Sequence, residues 1–133
     1  MATALVEDDE DLRRRVRLHR ERRPKGWGTL EIGDLNEVPT AAERWDAVLL
    51  DSLTLWVSAM EEQAPSEFDR FLARAGELAV PFVLVSDEVG LGVVPETGVG
   101  RRFRDVLGQV NQRAAAAADE VHLCVAGVGL RIR

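Results

Sequence analysis

Three short apolar runs decide what this chain can fold into. Ala47-Val48-Leu49-Leu50 ends in Asp51, Val83-Leu84-Val85 ends in Ser86-Asp87-Glu88, and the run from Val121 to Val125 ends before Gly127. Each has the length of a strand, and in the first two the unbroken apolarity is what a strand covered on both faces requires. Helical spacing fills the intervals. Leu53, Trp56, Val57 and Met60 form one stripe, Phe68, Phe71, Leu72 and Ala75 a second, and Phe103, Val106, Leu107, Val110 and Ala114 a third. Pro65 and Ser66 mark a break, with Ser66 the expected N-cap of the second helix, and Pro81 precedes the strand expected over 82–86. Strands alternating with helices predict an α/β sheet, largely parallel, with helices on both faces. Gly127-Val128-Gly129 predicts a turn into a last antiparallel strand ending at Arg133. The 133 residues fit a single domain, 1–133.

Upstream of the first run the pattern is electrostatic. Glu7, Asp8, Asp9, Glu10 and Asp11 precede Arg13, Arg14, Arg15, Arg17, Arg20, Arg22 and Arg23. Acid first and base last complements a helix macrodipole, which predicts a helix over 8–22, ended by Pro24 and Gly26. Leu12, Val16 and His19 fall at spacings of four and three, which puts His19 on the buried face. Trp27 to Ile32 is a candidate strand and Gly33 to Thr40 a polar loop, while Met1 to Val6 is a short apolar piece.

Several function classes are disfavoured. A net charge of -6 argues against bulk nucleic-acid affinity, because phosphate binding needs excess Lys and Arg. Cys124 is the only cysteine, so no intrachain disulfide can form and a cytoplasmic location is the default. No apolar run approaches a membrane span, and the N-terminus lacks the basic-then-apolar order of a signal peptide.

Five places carry potential chemistry. His19 sits among arginines, where a phosphate is attracted and the imidazole can attack it. On this segment alone a histidine packed beside Leu12 and Val16 is the stronger reading. Asp51, at the tip of an apolar run, is placed either to hold Mg²⁺ or to N-cap the next helix. Asp87 and Glu88 sit where ligands of open α/β sheets bind, at the carboxyl end of a strand, and they read equally as polar residues where a strand meets solvent. The glycine-rich loop that follows, with Gly90, Gly92, Pro95, Gly98 and Gly100, is long enough in so small a domain to suggest function. It lacks the third glycine of a dinucleotide fingerprint. Arg101, Arg102 and Arg104 lie in the expected first helical turn, where cations are disfavoured, which points to a nearby anion or to a salt bridge with Asp105. His122 and Cys124 share a face of the third strand, too few for a zinc site, and read as structural.

Taken together, the segments resemble one family over nearly the whole chain, in order. Arg15-Val16-Arg17-Leu18-His19 with Arg23-Pro24 and Trp27 is similar to an R-x-x-x-H…R-P…W segment. Val48 to Trp56 (VLLDSLTLW) matches a second motif, and Ser86 to Glu96 (SDEVGLGVVPE) resembles S-N-E-V-G-x-G-x-V-P. Arg101 to Gln112 and Ala118 to Val121 continue the match. The family is the bifunctional adenosylcobinamide kinase / adenosylcobinamide-phosphate guanylyltransferase of cobalamin biosynthesis. The resemblance implies a P-loop-type nucleotide-binding fold of three layers, with a mostly parallel sheet and a C-terminal antiparallel hairpin. It implies phosphorylation of adenosylcobinamide with ATP or GTP as donor, then GMP transfer from GTP through a covalent histidine intermediate at His19. It further implies triphosphate neutralisation by Arg20 and Arg23, Mg²⁺ held by Asp51, Glu88 at the nucleotide, and a homo-oligomer.

Three departures qualify it. Family members open with a strand and a G-x-x-x-x-G-K-[ST] loop, and no such run occurs here; Met1-Ala2-Thr3 stands where the second strand is expected. The first strand and phosphate loop are therefore expected to be missing, which speaks against kinase activity more than against guanylyl transfer and predicts an exposed sheet edge or an incompletely covered core. Asp87 replaces the family's Asn, and Ala59 stands where Asn usually follows Trp-Val-Ser. The competing readings are a non-catalytic remnant that keeps the fold and, more weakly, a module that binds an anionic partner through the Arg13–Lys25 surface.

Overall fold

A computed structural model of the chain describes residues 10, 14, 17, 18, 21 and 24–133. The five described positions between 10 and 21 are helical and exposed, in keeping with the helix expected over 8–22. Met1 to Val6, Leu12, Val16 and His19 lie outside the described residues.

Val48–Asp51 (β1) and Phe82–Val85 (β2) form a parallel pair in the register Val48↔Phe82 through Asp51↔Val85. Val48 and Leu50 are buried, and their partners Phe82 and Leu84 are half-buried on the same face. The core gathers on that face. Leu53–Met60 (α2), Ala64–Ala75 (α3) and Gly98–Ala117 (α4) bring Trp56, Phe68, Phe71, Leu107 and Val110 against it. Ring centroids step across the core at 6.2 Å for Trp56–Phe68, 5.7 Å for Phe68–Phe71 and 5.8 Å for Phe71–Phe82. Helix and sheet are thereby joined through contacts that favour tilted and edge-on rings.

The other face departs from expectation. Val83 is 55% exposed and Val85 38%, so β2 is not covered on both faces. The alternation of half-buried and exposed residues along β2 is the period of a one-faced strand. Among the described residues β1 and β2 form one two-stranded sheet, and His122–Val125 (β3) and Val128–Arg131 (β4) form a separate antiparallel one. Among the described residues, the expected single, largely parallel sheet is thus a parallel pair and a hairpin, and one face of β2 is left exposed at Val83 and Val85. What holds is a mixed α/β arrangement with the antiparallel hairpin last.

Three further differences are local. Trp27 to Ile32 forms no strand beyond an isolated bridge at Glu31, and it follows a Lys25–Gly26 turn that closes with Trp27 N donating to Pro24 O at 3.3 Å. Gly33 to Thr40 is no simple loop. The Asp34 carboxylate accepts from Asn36 N at 2.8 Å and caps a 3₁₀ turn, Leu35–Glu37, which leads into Val38–Ala42 (α1). Leu35, Val38 and Ala42, at helical spacing, are buried there. Finally, Ser66 does not cap α3. That helix starts two residues earlier with Pro65 in its first turn, where a missing N–H costs nothing, and Ser66 donates back to Gln63 O at 2.9 Å. Among the described residues no helix is long and apolar enough to cross a membrane.

Because Phe68 is fully buried between Trp56 and Phe71, Phe68→Ala should cost about 3–5 kcal/mol in urea unfolding. Leu91→Ala, at a side chain 78% exposed, should change stability by less than about 0.5 kcal/mol.

Candidate functional site

The parallel register brings two strand tips level, Asp51 on β1 and Val85 on β2. Just beyond them the chain turns polar on both sides. After β1, Ser52 caps α2 by accepting from Leu55 N at 3.4 Å. Ser52 is therefore the cap, and the alternative role of Asp51 as N-cap falls away; Asp51 closes the strand as a half-buried carboxylate. After β2, Ser86, Asp87 and Glu88 continue at the same end of the sheet.

This acidic turn is tied down from two helices. Thr54 Oγ1, in the first turn of α2, accepts from Asp87 N at 2.9 Å. Asn111 of α4 accepts the Ser86 hydroxyl at 2.6 Å through Oδ1 and donates through Nδ2 to Asp87 O at 3.1 Å. Glu88 then folds over its own turn, with Oε1 accepting from Gly90 N at 2.8 Å and capping the 3₁₀ turn Val89–Leu91. Gly90 leaves room for this. A Cβ there would lie 2.8 Å from the same carboxylate oxygen and push it aside.

The glycine-rich loop is anchored again at its far end. Arg101 donates to Pro95 O at 3.0 Å and Glu96 O at 2.7 Å, and Thr97 caps α4 by accepting from Gly100 N at 3.0 Å. Gly100 lets the loop pack down, since a Cβ would approach Pro95 Cβ to 2.8 Å. Between the anchors Leu91, Val93 and Val94 are exposed, Val93 at 95%.

The arginines after the loop have ordinary explanations. Thr97 places the helix start at Gly98, so Arg101, Arg102 and Arg104 fall after the first three helical positions. Arg104 pairs with Asp105 at 2.7 Å and Arg101 holds loop carbonyls, so the salt-bridge reading holds for Arg104. His122 bonds to Glu120 at 2.9 Å, and among the described residues no three His, Cys, Asp or Glu side chains converge. Of the site residues expected from the sequence, Asp51 and Glu88 come to one end of the parallel pair. His19, Arg20 and Arg23 lie outside the described residues. Thr54 and Asn111 went unnoticed in the sequence. The one available signal was a polar Asn beside Val110 in an otherwise apolar helical stripe.

Comparison with known proteins bears on this arrangement. A family model described as cobinamide kinase / cobinamide phosphate guanyltransferase matches residues 1–132. The chain is similar to the bifunctional adenosylcobalamin biosynthesis protein CobU of Salmonella typhimurium, 36% identical over all of this chain and 84% of the relative. It matches the Escherichia coli protein of the same name equally, at 36% with the same coverage. The CobP protein of Pseudomonas aeruginosa is 35% identical over all of this chain and 80% of its own length.

Thr97→Ala should lower stability by about 1 kcal/mol through loss of the α4 cap, and Thr97→Ser should largely restore it, as read by urea midpoints.

Proposed function

Because the chain belongs to the cobinamide kinase / cobinamide phosphate guanyltransferase family, we propose that it transfers GMP from GTP to adenosylcobinamide phosphate. The observation that supports this most is the adjacency of Asp51 and the Ser86-Asp87-Glu88 turn at one end of the parallel pair, in a chain that matches the family from residue 1 to 132. In open α/β sheets the carboxyl end of parallel strands is the ligand-binding end.

In this reading His19 is the nucleophile. A ring nitrogen forms a bond to the α-phosphorus of GTP as the bond to the β-phosphate bridging oxygen breaks, and pyrophosphate leaves. A phosphate oxygen of adenosylcobinamide phosphate then attacks the same phosphorus and the histidine bond breaks. Arg20 and Arg23 offset the triphosphate charge, and Glu88 lies against the nucleotide. Asp51 fits a Mg²⁺ role, since that ion is commonly held by one or two carboxylates with phosphate oxygens rather than by a protein cage. The ion supplies charge neutralisation on the phosphates. Asp87 adds negative charge beside that location, and its backbone, not its carboxylate, makes the contacts described above.

The 133 residues contain no G-x-x-x-x-G-K-[ST] run, so they assign no group to the kinase step. A second reading, a remnant that keeps the fold without the chemistry, draws on the exposed Val83 and Val85, which leave one face of β2 uncovered.

Incubation with GTP labelled at the α-phosphate, with Mg²⁺, separates the two. Guanylyl transfer predicts acid-labile label from the α- but not the γ-position, reduced to background in His19→Ala. No label on folded protein, or label that persists in His19→Ala, contradicts it.

A further inference from the structure

Resting on the guanylyl-transfer reading, we infer that Thr54 and Asn111 are positioning residues that lock the Ser86–Asp87 backbone and thereby set the affinity for nucleotide. β2 ends at Val85, so the polar backbone of Asp87 lies beyond its ladder with β1. Backbone N–H and C=O groups need partners wherever water does not serve them. Here both groups of one residue are taken by side chains from different helices. The N–H goes to the Thr54 hydroxyl, 33 residues away in sequence, and the C=O to the Asn111 amide, 24 residues away.

Asn111 does more than satisfy a single group. Its Oδ1 holds the Ser86 hydroxyl while its Nδ2 holds the Asp87 carbonyl, so one amide fixes two consecutive residues. Asp at this position keeps the acceptor and loses the donor. Gln keeps both but places them one methylene farther out. The Asn111 side chain is half-buried next to Val110; its bond to Ser86 is part-buried and its bond to Asp87 faces solvent. Thr54 stands in the first turn after β1 and so connects the tip bearing Asp51 to the tip bearing Asp87. With the Asp87 peptide held, Glu88 is delivered to its seat over Gly90 N. A turn ordered before the ligand arrives loses less freedom on binding.

A merely structural clamp would lower stability without touching affinity, so the test reads both. Amide hydrogen exchange at Asp87, GTP binding by calorimetry and urea midpoints are measured for wild type, Thr54→Val, Thr54→Ser and Asn111→Ala. Thr54→Val keeps the shape and removes the hydroxyl, and it covers the case in which Asn111→Ala fails to fold. Loss of one hydrogen bond predicts exchange at Asp87 faster by roughly three- to tenfold and GTP binding weaker by a similar factor in Thr54→Val and Asn111→Ala. Thr54→Ser should stay near wild type. Unchanged exchange, or faster exchange with unchanged GTP affinity, overturns the inference alone. Failure of the wild-type chain to bind GTP overturns the guanylyl-transfer reading, and the inference with it.

Discussion

The interaction on which everything else depends is the burial of one face of the β1–β2 pair. Val48 and Leu50, with Phe82 and Leu84 beside them, present an apolar strip that Trp56, Phe68, Phe71, Leu107 and Val110 cover. Burying large side chains of this kind supplies about 1.5–3 kcal/mol each, more than the roughly 0.5–1.5 kcal/mol that a typical neutral hydrogen bond nets. Because the strip is shared between strands, it also sets their register, and a slip by one residue would turn Leu50 outward. The level alignment of Asp51 with Val85, and hence the meeting of two polar strand ends, follows from packing whose side chains are apolar apart from the Trp56 indole N–H.

From that alignment the polar layer can be short. Thr54 and Asn111 each reach the Asp87 backbone from a helix whose place the core has already fixed, and Arg101 and Thr97 pin the far end of the loop. The loop is therefore held at its ends and apolar between them, with Leu91, Val93 and Val94 turned outward. The uncovered face of β2 is a comparable feature on the sheet: its valines suit a strand covered on both sides, but only one side is covered among the described residues.

How much of this was legible in the sequence depended on the range of the forces involved. Leu53-Trp56-Val57 and Leu107-Val110 announced helices because periodicity is local, and both stripes are buried. Val83-Leu84-Val85 announced a strand but not its surroundings, since an apolar run does not report what lies opposite it. Asp34, Asn36 and Pro39 did encode a cap and a helix start, and the polar appearance of 33–40 concealed it. Ser66 looked like a cap until Pro65 proved to sit inside the helix. The Thr54–Asp87 bond joins positions 33 residues apart and depends on the fold, so no spacing in the sequence could show it. Asp51 and Glu88 were visible as carboxylates after apolar runs. The roles of His19, Arg20 and Arg23 rest on family resemblance and lie outside the described residues.

The central claim is that the carboxyl end of the β1–β2 pair receives the nucleotide. A titration of ¹⁵N-labelled wild-type protein with GTP and Mg²⁺, followed by two-dimensional NMR, tests it most directly. The account predicts that amide shifts concentrate at Asp51 to Thr54 and at Ser86 to Gly92. Shifts confined to the β3–β4 hairpin, or none at millimolar GTP, would contradict it.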